Sequence, residues 1–152
     1  MTADLGDLYQ EVILEHSKAP RNFRRPATAN HEAEGYNPLC GDRCTVYLDI
    51  EGDKINEIGF QGSGCAISRA SASMMTQMVK GKTKAEAGKL FDQFHSLVTG
   101  KGEAAQAGDL GKMAVFGGVS KFPARVKCAT LAWHTMQSAL ADERKQEPVS
   151  TE

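Results

Sequence analysis

The sequence has no excess of either charge: in 152 residues, 18 Lys and Arg stand against 19 Asp and Glu, a net of −1. That balance excludes a polyanion, and equally a polycation that binds nucleic acid by bulk charge, so any partner is recognised locally. Nowhere does an apolar run approach the ~18 residues that a membrane span needs. The opening MTADLGDLYQEVILEH lacks both a basic leader region and an uninterrupted apolar stretch. The expectation is a soluble, cytoplasmic protein that engages neither membrane nor nucleic acid. Repeats and low-complexity tracts are also missing. Cysteine is sparse, with Cys40, Cys44, Cys65 and Cys128 and no CxxC pair among them. In a reducing compartment such cysteines read as thiols or metal ligands rather than disulfides.

What is present suits one globular domain. Counting glycine with the apolar residues gives roughly 49%, an ordinary value, and a chain of this length buries roughly 70% of its extended surface on folding. The domain is expected over residues 1–145, with the polar stretch 146–152, which contains Pro148, left as a disordered tail. Asp7 followed by Gln10 resembles a capping box, and Tyr9, Val12, Ile13 and His16 predict a helix from Leu8 to Lys18 that ends before Pro20. Residues 21–39 read as loop with one short edge strand near Ala29 to Glu34. Cys44, Val46, Leu48 and Ile50 alternate with polar neighbours, and Glu51-Gly52-Asp53 supplies a turn before Ile55 to Gln61, which predicts an antiparallel hairpin. Helical spacing then follows from Cys65 to Gly81 through Ile67, Ala70, Met74 and Met78, and again from Lys84 to Val98. A Gly-rich segment runs to Gly108, with a short apolar stretch from Leu110 to Val115. Pro123 suits a first helical turn, and Ala129, Trp133, Met136 and Leu140 mark one face of a last helix reaching Glu143.

Chemistry concentrates at the cysteines. In Cys40-Gly41-Asp42 a thiol and a carboxylate lie two residues apart on a segment that Pro38 and Gly41 turn, so both can point at one centre. Cys65 begins one helix and Cys128 lies in the first two turns of another, where backbone N–H groups and the helix dipole favour thiolates. Cys40, Asp42, Cys65 and Cys128 form a candidate ligand set suited to tetrahedral zinc, or to a [2Fe–2S] or [4Fe–4S] cluster with one oxygen ligand. Spacing alone leaves open that the cysteines are small buried hydrophobes. Cys44, on the Val46/Leu48/Ile50 face, reads as core.

Four segments, LYQEVILEHSKAPRN, NPLCGD, GSGCAISRASASMM and PARVKCATLAW, spread from residue 8 to residue 133, resemble the SufU proteins, a branch of the IscU-like iron–sulfur cluster assembly family. The resemblance implies an α+β fold: one compact domain with a small antiparallel sheet and helices packed on one face. The scaffold branch carries His immediately before its last motif cysteine, where this chain has Lys127, a cation and a poor ligand. The interval from Thr83 to Gly118 resembles the insertion that distinguishes SufU. Both features point to the sulfur-transfer branch.

That branch implies a zinc-dependent, sulfurtransferase-like carrier that accepts persulfide sulfur from a SufS-type cysteine desulfurase, which bears the pyridoxal phosphate, and passes it to downstream cluster assembly proteins. By motif match Cys40 is the acceptor, with Asp42, Cys65 and Cys128 holding the metal beside it. An iron–sulfur scaffold of the IscU type and a binding module with structural zinc are the alternatives.

Other residues have plainer readings. His16, His31, His95 and His134 stand apart from the cysteine words and read as structural or surface groups. Met74, Met75 and Met78 read as core filling. Arg125 and Lys127 flank Cys128 and either lower thiolate pKa values, or receive a partner's acidic surface, or belong to the solvated first turn of a helix. Arg21, Arg24 and Arg25 form a basic cluster with no aromatic platform, which disfavours nucleic acid. Gly62-Ser63-Gly64 is followed by neither GK[ST] nor GxGxxG, so nucleotide binding is not expected.

Overall fold

Alternation with period two becomes a sheet. In the computed structural model, which describes residues 5–38, 41–99, 116, 122–141 and 149–150 (backbone alone at 5–10 and 149–150), the order is α1 Leu5–Lys18, β1 His31–Asn37, β2 Asp42–Glu51, β3 Lys54–Ser63, α2 Ala66–Val79, α3 Lys84–Val98, α4 Pro123–Leu140 and β4 Val149–Ser150. The sheet runs β3-β2-β1-β4, with β1, β2 and β3 antiparallel and β4 parallel to β1. Cys44, Val46, Leu48 and Ile50 on β2 and Ile55, Ile58 and Phe60 on β3 are buried in one cluster with Met74, Met75, Leu131 and Trp133 of α2 and α4. The result is the expected α+β architecture.

Local chemistry sets the boundaries. The hairpin turns over Gly52-Asp53, with Glu51 paired to Lys54. Thr83 and Glu86 form a reciprocal capping box at the start of α3, each side chain bonding the other's backbone N–H. Pro123 occupies the first turn of α4 as expected. Phe94 of α3 stacks on Trp133 of α4 with centroids 4.9 Å apart, and Phe116 closes on Phe94 edge to face.

Several expectations shift. The helix α1 begins at Leu5, so Asp7 lies inside its first turn and is not a cap; an acidic residue suits both places, because each faces the positive end of the helix dipole. The edge strand lies at His31–Asn37 instead of 29–34, and α4 stops at Leu140, three residues before Glu143. In the tail, Val149–Ser150 pair with Gly35–Tyr36, so ladder hydrogen bonds order two residues for which the sequence predicts disorder. The Gly-rich segment and the stretch from Leu110 to Val115 lie outside the described residues.

One close approach fixes the helix that matters most for the site. A Cβ at Gly35 would collide with the Thr135 hydroxyl and lie 3.0 Å from Leu131, so β1 and α4 meet at a distance only glycine permits. This seats Cys128, two turns earlier on α4, against the end of β1.

Candidate metal centre

Three strand and helix ends converge at the edge of the sheet. Asp42 opens β2 opposite Asn37, the last residue of β1, and the intervening turn is closed by the Gly41 N–H donating to the Asn37 carbonyl at 2.8 Å. Cys65 follows β3 and caps α2: its Sγ accepts the Ser68 N–H at 3.4 Å, the role usually filled by a serine or threonine hydroxyl. Cys128 lies in the second turn of α4.

The ligand atoms of Asp42, Cys65 and Cys128 all lie within 4.8 Å of one another. Asp42 is 2% exposed and Cys128 7%, while Cys65 is open to solvent. Asp42 is fixed by accepting the Cys65 N–H on Oδ1 at 2.9 Å, and its Oδ2 accepts the Cys65 thiol at 3.5 Å. The Asn37 amide, 1% exposed, donates to Cys128 Sγ at 3.9 Å, a long contact suited to the large, soft sulfur. Two thiols and a carboxylate at this spacing, two of them buried, are a donor set that fits zinc. Zinc held there would keep the thiols deprotonated at neutral pH.

The electrostatics favour thiolate at Cys65. Its pKa is drawn down to about 7, chiefly by the hydrogen bond with the Cys128 side chain, against the cost of burial; the Ser68 and Ile67 N–H groups help and the Asp42 charge opposes. Cys44 behaves oppositely. Burial, with a smaller push from Asp42, raises it to about 12, so it is a neutral core thiol facing Val46 and Leu48. Of the four residues in the expected ligand set, Asp42, Cys65 and Cys128 are brought together, and Cys40 lies outside the described residues.

The remaining residues stand as follows. Gly64 matters because a Cβ there would lie 2.9 Å from Asp42 Oδ1, which makes the glycine part of the metal-centre frame and not a phosphate loop. Asn37 and Ser68 are the contributors that sequence reasoning does not single out: Asn37 reads as a turn residue before Pro38, and Ser68 acts only through its backbone. His16 is buried against the Ser73 hydroxyl, while the His95 and His134 rings meet edge to face at 5.8 Å beside Phe91. Arg21, Arg24 and Arg25 lie 3.6–3.7 Å from Glu15, Glu57 and Glu32 at the surface, with Glu57 shared with Lys80. Arg125 stacks over the exposed Phe122 ring at 4.8 Å. No described helix is long and apolar enough to cross a membrane.

Comparison with known proteins agrees with this geometry. The profile of the NifU-like N terminal domain matches residues 8–129. The zinc-dependent sulfurtransferase SufU of Bacillus subtilis is 43% identical over 141 residues, covering 93% of this chain and 95% of its own. The iron–sulfur cluster assembly scaffold protein IscU of Streptococcus pyogenes is 42% identical over 136 residues, covering 90% of this chain and 84% of its own. The crystal structure of FiSufU from the thermophile Fervidobacterium islandicum superposes with a TM-score of 0.81 at 38% identity, covering 88% of this chain and 96% of that one.

Proposed function

Because the chain belongs to the family of NifU-like N-terminal domains, we propose that it is a zinc-dependent sulfur carrier in iron–sulfur cluster biogenesis, with Asp42, Cys65, Cys128 and Cys40 as the metal ligands and Cys40 as the sulfur acceptor. The convergence of Asp42, Cys65 and Cys128 within 4.8 Å carries this reading. Bound zinc supplies charge that keeps the sulfur ligands as thiolates. The chain does the rest. Asn37 and Ser68 direct N–H groups at the Cys128 and Cys65 sulfurs, and Asp42 is held by the Cys65 N–H. Cys65 and Cys128 are tied to helices; Cys40, which lies between Pro38 and Gly41 in the sequence, is the acceptor by motif match.

The transfer itself is a thiol–disulfide exchange. The Cys40 thiolate attacks the outer sulfur of a persulfide on a cysteine desulfurase, a new sulfur–sulfur bond forms at Cys40, and the desulfurase cysteine leaves as a thiolate. A thiolate of a cytoplasmic assembly protein then attacks the outer sulfur of the Cys40 persulfide, and Cys40 leaves as the thiolate. Lys127 replaces the histidine of the scaffold branch and offers no neutral ligand beside Cys128, which separates this reading from cluster assembly on the chain itself.

Zinc analysis coupled to mass spectrometry tests it. After the chain is mixed with a cysteine desulfurase and cysteine, the added ~32 Da of one sulfur should sit on the peptide containing Cys40, and Cys40→Ser should fold yet accept none. A brown protein that retains a cluster after anaerobic reconstitution and passes it to an apo-acceptor, without stimulating the desulfurase, would replace this reading with the scaffold. Sulfur found on Cys65 or Cys128, with Cys40→Ser still active, would move the acceptor.

A further inference from the structure

Two of the metal-centre thiols differ in accessibility while sharing one contact. Cys65 is exposed at the mouth of the site, and Cys128 is buried behind it, 7% exposed. Their sulfurs lie within 4.8 Å and share a hydrogen bond, and the Cys65 sulfur is otherwise held by the Ser68 and Ile67 N–H groups and by Asp42. A disulfide between them asks the sulfurs to close from within 4.8 Å to roughly 2.0 Å, at the cost of the Cys65 cap contact. Cys44, the other described cysteine, is buried in the core among Val46 and Leu48 and belongs to no such pair.

We infer that Cys65 and Cys128 are a redox-responsive pair: a peroxide oxidises Cys65, Cys128 resolves it, and the resulting disulfide removes two ligands at once and releases the metal. This deepens the reading of the site as a metal centre. The chemistry balances with peroxide as the only co-reactant. The Cys65 thiolate attacks one peroxide oxygen, the O–O bond breaks, and the departing hydroxide takes a proton to leave as water, with Cys65 as a sulfenic acid. The Cys128 thiolate then attacks the Cys65 sulfur and expels the second hydroxide, which leaves as water once protonated. Two thiols are oxidised by two electrons in total, and one peroxide is reduced to two waters. Both sulfurs are lost as thiolate donors, which leaves Asp42 as the described ligand. A thiol reductant reverses the bond, and the site reopens.

The experiment uses the full chain, zinc-loaded and chelator-stripped, treated with a few equivalents of hydrogen peroxide. Zinc release is followed with a chromogenic chelator, and a non-reducing digest is read by mass spectrometry. The expected result is a Cys65–Cys128 linked peptide in both forms, zinc release in step with its appearance, the same link in Cys40→Ser, and reversal of link and metal loss by a phosphine. The Cys128→Ser protein should instead carry sulfinic acid at Cys65. A disulfide through Cys40 or Cys44 in the wild type would overturn the inference, as would zinc release with Cys65 and Cys128 still reduced. Overoxidised Cys65 beside an intact Cys128 thiol in the wild type would do the same. The stripped protein needs neither zinc nor a desulfurase to form the link, so failure of the sulfur-carrier reading leaves this result standing. Absence of the link from a protein that binds zinc and accepts sulfur sinks only the redox pair.

Discussion

Gly64→Ala should cripple metal binding while leaving every ligand in place. The new Cβ would lie 2.9 Å from Asp42 Oδ1, 3.0 Å from its Cγ and 3.3 Å from its Cβ. Because the Asp42 Cβ is itself crowded and the residue is 2% exposed, rotating the carboxylate relieves only part of the clash. Overpacking of this kind costs about 1–3 kcal/mol. If Asp42 turns away it also loses the 2.9 Å bond from the Cys65 N–H. A hydrogen bond to a charged acceptor contributes about 1.5–3 kcal/mol, and at 1.4 kcal/mol per tenfold this is about a 10- to 100-fold loss of zinc affinity. Competition against a chromogenic chelator measures that ratio. Urea unfolding of the stripped protein separates it from fold stability. Gly88→Ala is the control: nothing lies within 4 Å of a Cβ there, and it sits in α3, so it should be neutral or more stable by up to about 1 kcal/mol with zinc affinity unchanged. A Gly64→Ala protein that binds zinc within twofold of the wild type would refute the claim that this glycine holds Asp42 in place.

Three further outcomes are expected. Stripping the metal should lower the melting temperature, since zinc at 100 times its Kd adds about 2.7 kcal/mol, or about 5–10 °C for a domain of this size; an identical calorimetric trace after complete chelation would contradict it. Gly35→Ala should destabilise the fold by about 1–3 kcal/mol or more, because its Cβ meets Thr135 and Leu131 on a packed helix; an unshifted urea midpoint would show that α4 can move away from β1. Cys44, raised to about 12 from 9.0, keeps its proton longer in the folded state than in the unfolded one, so its contribution is full below pH 9 and is lost as pH rises from there toward 12. Native Cys44 should therefore resist iodoacetamide at pH 8 and react once urea opens the core, and rapid native labelling would place it at the surface.

The sheet and helices were legible because their signals are local. Cys44, Val46, Leu48 and Ile50 repeat every second residue, and the same alternation that predicts β2 also assigns Cys44 to the core. Pro123 at a first turn and the apolar steps of 65–81 worked for the same reason. At the site, residue types and turns were enough to nominate Asp42, Cys65 and Cys128, but their closure depends on pairings across 20 to 90 positions that no local pattern encodes. The Gly35–Thr135 approach and the Gly64–Asp42 contact are of this kind, and in sequence each glycine looks like loop punctuation. Asn37 was missed because its turn chemistry masks its second role toward Cys128. The tail strand was missed because two residues carry no periodicity, and its partner Gly35 is not adjacent in the chain.

The same contacts explain why this frame tolerates so much negative charge. Deprotonated, Asp42, Cys65 and Cys128 bring three charges against the two of zinc. An excess of this sign in a partly buried place needs fixed positive dipoles, and the fold supplies them from separate elements: the Ser68 N–H at the start of α2, the Cys65 N–H toward Asp42, and the Asn37 amide toward Cys128. These donors come from backbone and neutral side chains, so they compensate the ligands without competing for the metal as a histidine would. The arrangement also ranks the ligands. Asp42 receives a short N–H bond and Cys128 is buried, whereas Cys65 is the exposed member, held by its cap contact. In the proposed centre, zinc retention is expected to rest on Asp42 and Cys128, with the exposed Cys65 as the member open to what arrives from solvent.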